Sequence, residues 1–219
     1  MNINGSMTVQ SGNGAASLYD RVTHLYALTF KFNGYAHSMK RYLRRIATLN
    51  LPDDARILDA GCGTGLLTLS LLRVLDRPAR ITAVDLSSQS LVKAQQAIRE
   101  TATTWPHVLD FTQANVLSLP FADESFDLIM TSGVLEYVPL SDGFRELARV
   151  LRPGGHMLHL PVKPSPASKL LELLFRFKTH SPREVDQHTR RHFHIIERYQ
   201  FPPLHPISWT KTAVLAQKK

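Results

Sequence analysis

Between Asp59 and Gly65 the chain reads Asp-Ala-Gly-Cys-Gly-Thr-Gly. Glycines at alternate positions remove Cβ atoms where a backbone must turn sharply and come close to a ligand. The preceding segment, ARILDAGC (55–62), is short, apolar and strand-like, and the following one, TGLLTLSLLRVLDR (64–77), has helical spacing. A glycine-rich turn joining a strand to a helix sits at the carboxyl end of that strand, where open α/β sheets bind ligands. The spacing is G-x-G-x-G, with Leu66 where the dinucleotide fingerprint would place its last glycine. That departure counts against a nicotinamide enzyme.

The alternation continues along the chain. RITAVDL (80–86) reads as a strand and SSQSLVKAQQAIRET (87–101) as a helix opened by serine caps. Further strands are expected at 108–116, 127–132 and 156–162, with a loop over 119–126 and a helix over 142–151 stopped by Arg152-Pro153-Gly154-Gly155. Strands and helices alternating at these lengths imply βαβ units, hence an α/β fold with a doubly wound, mostly parallel sheet. Residues 168–178 read as a helix, 189–199 as a weaker one, and 203–209 and 212–219 as two closing strands joined by a tight turn. Residues 1–14 are rich in Gly, Ser and Asn and are expected to be disordered. The remainder, 15–219, is expected to form one domain: a helical aromatic cap (15–50), a ligand-binding core (51–162) and a basic helix with closing strands (163–219).

Asp85 ends the second strand. A carboxylate there can accept hydrogen bonds from both hydroxyls of a ribose; the competing role is an N-cap for the next helix. Cys62 is the single cysteine, which excludes an intramolecular disulfide. The start of the chain lacks the basic stretch and apolar core of a signal peptide, and no apolar run approaches the ~20 residues of a spanning helix. A cytoplasmic protein is therefore expected.

The order of motifs ILDAGCGTG (57–65), AVDLS (83–87), QANVLSLPF (113–121), FDLIMTSGVLEYV (126–138) and LRPGG (151–155) resembles that of class I S-adenosylmethionine-dependent methyltransferases. The resemblance covers residues 55–162 and, loosely, the closing strands. It implies a Rossmann-like, seven-stranded sheet whose last strand is antiparallel. It implies that Gly61, Gly63 and Gly65, with Cys62 between them, lie under the methionine end of S-adenosylmethionine, and that Asp59 reaches its amino group directly or through water. Asp85 then takes the ribose and Leu86 covers the adenine. Asn115 stands where many relatives carry aspartate before the adenine; an amide can still bond the N6 amine, and Val116 is its apolar neighbour. The product would be S-adenosylhomocysteine.

The fourth-strand end, Thr131 to Tyr137, faces the methyl donor in this family, which brings Ser132 to the cofactor. It resembles the Leu-Glu-His form of some quinone O-methyltransferases, but Tyr137 replaces the histidine, which disfavours metal assistance. Acceptor deprotonation has three candidates: His37, Glu136 and His159. The ten histidines lack a ligand pattern with the one cysteine, so no metal is expected. The aromatic segment YDRVTHLYALTF (19–30) resembles the small-molecule branch that includes ubiquinone/menaquinone-type C-methyltransferases and phospholipid N-methyltransferases. The expected reaction is methyl transfer to a small, apolar or lipid-like acceptor. Methyl transfer to RNA or protein, and a cofactor-binding regulatory protein without catalysis, stay open as alternatives; no nucleic-acid recognition motif supports the former.

Net charge is +8, and residues 163–219 carry eleven Lys and Arg against four Asp and Glu. In KLLELLFRFK (169–178) the apolar residues cover more than one buried stripe, with basic residues at the margins. Such a helix either packs against the sheet edge over the acceptor pocket or rests on an anionic membrane surface.

Overall fold

The computed structural model describes residues 35–44, 49–101, 104–205 and 207–219, with residues 35–37 described by backbone alone. The expected disordered start and most of the aromatic cap lie outside the described residues. The part of the cap that is described is helix α1, Tyr35–Leu43, which buries Met39, Tyr42 and Leu43.

Strands β1 (Ala55–Ala60), β2 (Ala79–Asp85), β3 (Val108–Gln113), β4 (Phe126–Ser132), β5 (Leu151–Leu160), β6 (Phe193–Tyr199) and β7 (Ala213–Lys218) form one sheet in the order β3-β2-β1-β4-β5-β7-β6. The first five are parallel, and β7 runs antiparallel to both neighbours. This is the expected Rossmann-like sheet with an antiparallel last strand. Successive side chains of the central strands point to opposite faces. Ile57, Leu128 and Leu158 therefore join Met39, Leu43, Leu67 and Leu71 in one core, while Leu58, Ile129 and Met157 join Phe144, Leu147 and Val150 in the other. Burial on both faces is why these strands read as apolar runs rather than alternations.

Helix α2 (Leu66–Leu72) follows the glycine turn, and α3 (Ser88–Arg99) is capped by Ser87, whose hydroxyl accepts from Ser90 N–H. Helix α4 (Leu140–Val150) buries Leu140, Phe144, Leu147 and Ala148 along one stripe. Arg149, near its end, bonds Glu146, Asp123 and the carbonyls of Leu119 and Phe121, which pins the loop after β3 to this helix. Asp127 accepts from Arg56 N–H at 2.7 Å and pairs with Arg152, tying β1 to β4 and β5.

The C-terminal part differs from the expectation. The weak helix expected over 189–199 is instead the end of α6 (Pro182–His192) followed by β6. The missed signal is Ser181-Pro182-Arg183-Glu184: Ser181 caps the helix by accepting from Glu184 N–H, and Pro182 opens it. None of the described residues of 203–209 lies in a strand. Pro202, Pro203 and Pro206 cannot donate to a ladder, and the chain forms a loop and a short helix α7, Ile207–Thr210. The two closing strands are thus β6 and β7, with that segment between them. Strand β5 also begins earlier than expected, at Leu151, because a register irregularity opposite Phe126 and Leu128 takes up the glycines. Helix α5, Pro166–Phe175, matches the expected tail helix within a turn and is capped by Ser165.

Candidate active site

The strand ends of β1, β2 and β4 converge on one cavity of about 800 Å³. Gly61, Cys62, Gly63, Asp85, Leu86, Asn115, Val116 and Ser132, eight of the residues singled out in the sequence, line it together. The turn is held from below by Val84, whose carbonyl accepts from both Gly61 N–H and Cys62 N–H. Gly61, Gly63 and Gly65 all have positive φ, at 75°, 54° and 80°. Only two are also sterically compelled: a Cβ on Gly61 would lie 2.5 Å from Val134, and one on Gly65 would lie 2.9 Å from Ala94. A Cβ on Gly63 would meet nothing within 4 Å, so this part of the turn faces open space. Gly65 itself caps α2 behind the cavity.

The Asp85 carboxylate accepts from Gly63 N–H at 2.8 Å and from Ser87 N–H at 2.9 Å. These bonds fix its orientation while each oxygen keeps a lone pair for a further donor. Ser87, not Asp85, is the N-cap of α3, so the competing role for Asp85 falls away. Asn115 uses its side-chain oxygen to accept from Leu117 N–H at 3.0 Å, closing a turn that presents Val116 and Leu117 to the cavity. The Cys62 thiol is pushed up by burial and by the charges of Asp59 and Asp85, which makes it an apolar wall rather than a nucleophile.

Asp59 lies behind the turn, wholly buried. One carboxyl oxygen accepts from the Thr68 hydroxyl and the other has no partner. Burial is the largest cause that pushes it up to about 7, with the Thr68 bond opposing and the Asp85 charge adding. A buried oxygen without a donor, an oriented carboxylate at the end of β2 and an open glycine turn fit a ligand with a ribose, an amine and a flat apolar base. Such is S-adenosylmethionine.

The catalytic candidates are dispersed. Glu136 is buried in the short 3₁₀ turn Leu135–Tyr137 after β4, accepting from Val162 N–H at 2.6 Å. Burial pushes its carboxyl up, against the Lys211 charge. It faces a second, smaller hollow with Lys178, His180 and Glu184. His159 is fully buried with both ring nitrogens unpartnered and its ring edge-on to Phe144; burial, then Lys211 and His180, push it down to about 3. It does not line the cavity. The side chain of His37 lies outside the described residues. Among the described residues, no group of three or more His, Cys, Asp or Glu side chains is placed to hold a metal ion.

Sequence reasoning missed Lys211. It follows α7, is 5% exposed, and lines the cavity beside Ser132, whose hydroxyl oxygen accepts from its Nζ at 2.7 Å. In sequence it is one of eleven tail cations. A lysine in a Trp-Thr-Lys-Thr context carries no motif, and only the antiparallel return of β7 beside β5 brings it to the site. Leu171, Phe175 and Phe177, from α5 and the residues after it, complete the apolar wall.

The family model for a methyltransferase domain matches residues 58–159. The chain is 30% identical over 192 residues to a demethylmenaquinone methyltransferase of Lactiplantibacillus plantarum, covering 80% of this chain and 76% of that one. It is also 30% identical to a 2-phytyl-1,4-naphtoquinone methyltransferase of Thermosynechococcus vestitus, over 85% of this chain and 76% of that one. Geranyl diphosphate C-methyltransferase from Streptomyces coelicolor A3(2), solved with S-adenosyl-L-homocysteine, shares the fold at a TM-score of 0.65 and 17% identity, over 82% of this chain and 75% of that one. With the motif order, the sheet topology and these relatives in agreement, the chain belongs to the class I S-adenosylmethionine-dependent methyltransferases.

Proposed function

We propose that this methyltransferase acts on a small, apolar hydroxy-aromatic acceptor of the quinol type. The observation that carries the reading is the two-ended cavity. Its strand-end side holds the glycine turn, Asp85, Leu86 and Asn115, and its other side is walled by Tyr137, Val162, Leu171, Phe175 and Phe177. The named activities of the quinone-methylating relatives support the same acceptor class. Bound S-adenosylmethionine supplies an electrophilic methyl group. In this reading Asp85 holds the ribose diol, Leu86 and Val116 sandwich the adenine, Asn115 reads its edge, and Asp59 with the Gly61–Gly65 turn takes the amino-acid end. The apolar wall orients the acceptor and excludes water, a contribution that can reach ~7–11 kcal/mol of the barrier. The test is incubation of the protein with methyl-labelled S-adenosylmethionine and a reduced 2-alkyl-1,4-naphthoquinone, followed by mass analysis. A labelled methyl on the naphthoquinol is expected. Cofactor binding without any labelled naphthoquinol would overturn the acceptor class.

A lipid-like acceptor reached from a membrane surface is favoured by one further observation. Helix α5 turns Leu171 and Phe175 to the cavity, while Leu170, Leu173 and Leu174 stay 60%, 79% and 44% exposed on its outer side. Lys169, Arg176 and Lys178 are exposed at its margins. An apolar strip edged with lysine and arginine suits the surface of an anionic bilayer, and the same helix then forms the cavity wall. No described helix is long and apolar enough to cross a membrane.

A further inference from the structure

We propose that Lys211 is the acceptor-oxygen site of this enzyme: its amine takes the proton of the acceptor hydroxyl and then holds the resulting oxide. This rests on the hydroxy-aromatic acceptor proposed above and assigns to it a residue that no motif marked.

The placement is specific. Ala60 pairs with Thr131 across β1 and β4, so Ser132 follows directly beside the glycine turn. Lys211 Nζ donates to Ser132 Oγ at 2.7 Å, and a Cβ on the neighbouring Gly133 would lie 3.4 Å from that nitrogen. Gly133, at a φ of 81°, therefore leaves room around the amine. The backbone of Lys211 is itself anchored, by a bridge to Val162 and by its N–H donating to the Ile207 carbonyl at 2.8 Å. The amine thus stands at a fixed point of the wall of the cavity that the glycine turn, Tyr137, Phe175 and Phe177 also line.

A buried ammonium is costly unless a negative partner meets it. Burial accordingly pushes the Lys211 amine down, while the Glu136 charge pushes it up. The other titratable groups that feel this charge are His159 and, through Glu136, His180. A lysine of this kind accepts a proton readily when an anion forms beside it. The acceptor O–H bond breaks with its electron pair left on oxygen, the proton forms a new N–H bond on Nζ, and the ammonium and oxide remain as a pair. No other reactant is needed, and the ammonium gives the buried oxide a counter-charge in place of the hydration it would have in water.

The test uses a nitro-substituted 1-naphthol, whose oxide absorbs in the visible, titrated across pH on protein loaded with S-adenosylhomocysteine. The expected result is an ionisation midpoint for the bound naphthol about one pH unit or more below its value in water, equivalent to tenfold or more preference for the oxide. The shift should vanish in Lys211→Met while S-adenosylhomocysteine affinity is retained. Binding of the naphthol to the wild type without a shift would overturn the role of Lys211 and leave the acceptor class standing. A loss of S-adenosylhomocysteine affinity in Lys211→Met would also overturn it, by assigning the amine to the cofactor's carboxylate. Failure of the loaded wild type to bind the naphthol at all would overturn the acceptor class and this assignment with it.

Discussion

Gly63 N–H donates to the Asp85 carboxylate at 2.8 Å, joining the turn after β1 to the end of β2. The bond makes the glycine turn and the carboxylate one rigid unit, so the acid meets its ligand without reorganising. Replacing Asp85 with alanine removes the ligand bonds and loosens the turn together. Calorimetric titration with S-adenosylhomocysteine should show a loss on the order of 2–4 kcal/mol, the scale of two charge-assisted bonds. Unchanged affinity would refute the ribose role.

The three positive-φ glycines should respond unequally to alanine. At Gly63 only the backbone conformation resists, with a cost of roughly 1–2 kcal/mol. At Gly61 the new methyl would also strike Val134. Thermal melts should rank Gly61→Ala below Gly63→Ala in stability, and adding Val134→Ala should restore part of the Gly61→Ala loss. Equal stability of the two single variants would contradict the steric account.

Asn115 is expected to contribute to adenine binding by ~1–2 kcal/mol, the value of one buried neutral hydrogen bond. Asn115→Ala should lose that much affinity and free the Leu117 N–H. Asn115→Asp should be tolerated, since a carboxylate oxygen can accept from Leu117 in the same way. An aspartate variant that binds no better than alanine would show that the amide group itself is required.

Asp59 sets a pH dependence whose sign follows from its burial. The carboxyl titrates near 3.8 when unperturbed and about 7 in the folded protein. Between those values the folded chain holds a proton that the unfolded chain has released, so stability falls as pH rises through the window and is fully present below it. Asp59→Asn should flatten this fall, gaining on the order of 2 kcal/mol relative to wild type above the window. Melting temperatures measured from pH 4 to 8 check it; parallel curves for the two proteins would rule it out.

The exposed strip of α5 should carry the protein to anionic vesicles at low salt, with binding that weakens as salt rises. Leu173 is 79% exposed, so Leu173→Glu removes apolar surface without disturbing a core. Sedimentation with mixed phosphatidylglycerol and phosphatidylcholine vesicles should show reduced binding for this variant. Absence of wild-type binding at low salt would confine α5 to its role as a cavity wall.

Much of the molecule was legible from residue order because its signals are local. A glycine turn after an apolar strand, an acid ending the next strand, and helices spaced between them specify the parallel half of the sheet. Strand direction and side-chain alternation then bring Gly63, Asp85 and Asn115 to one edge without further information. What the chain alone did not determine lies after β5. There Phe193 to Tyr199 reads as part of a weak helix until β7 is beside it, since an edge strand takes its identity from the ladder it joins, as in the pairing of Tyr199 with Ala213. Lys211 is the sharpest case. Its residue type is that of any surface cation, and only burial between β4 and the antiparallel return of β7 sets it against Ser132. Desolvation depends on neighbours from every part of the chain, so the downward shift of Lys211, like the upward shift of Asp59 and the downward shift of His159, belongs to the tertiary structure.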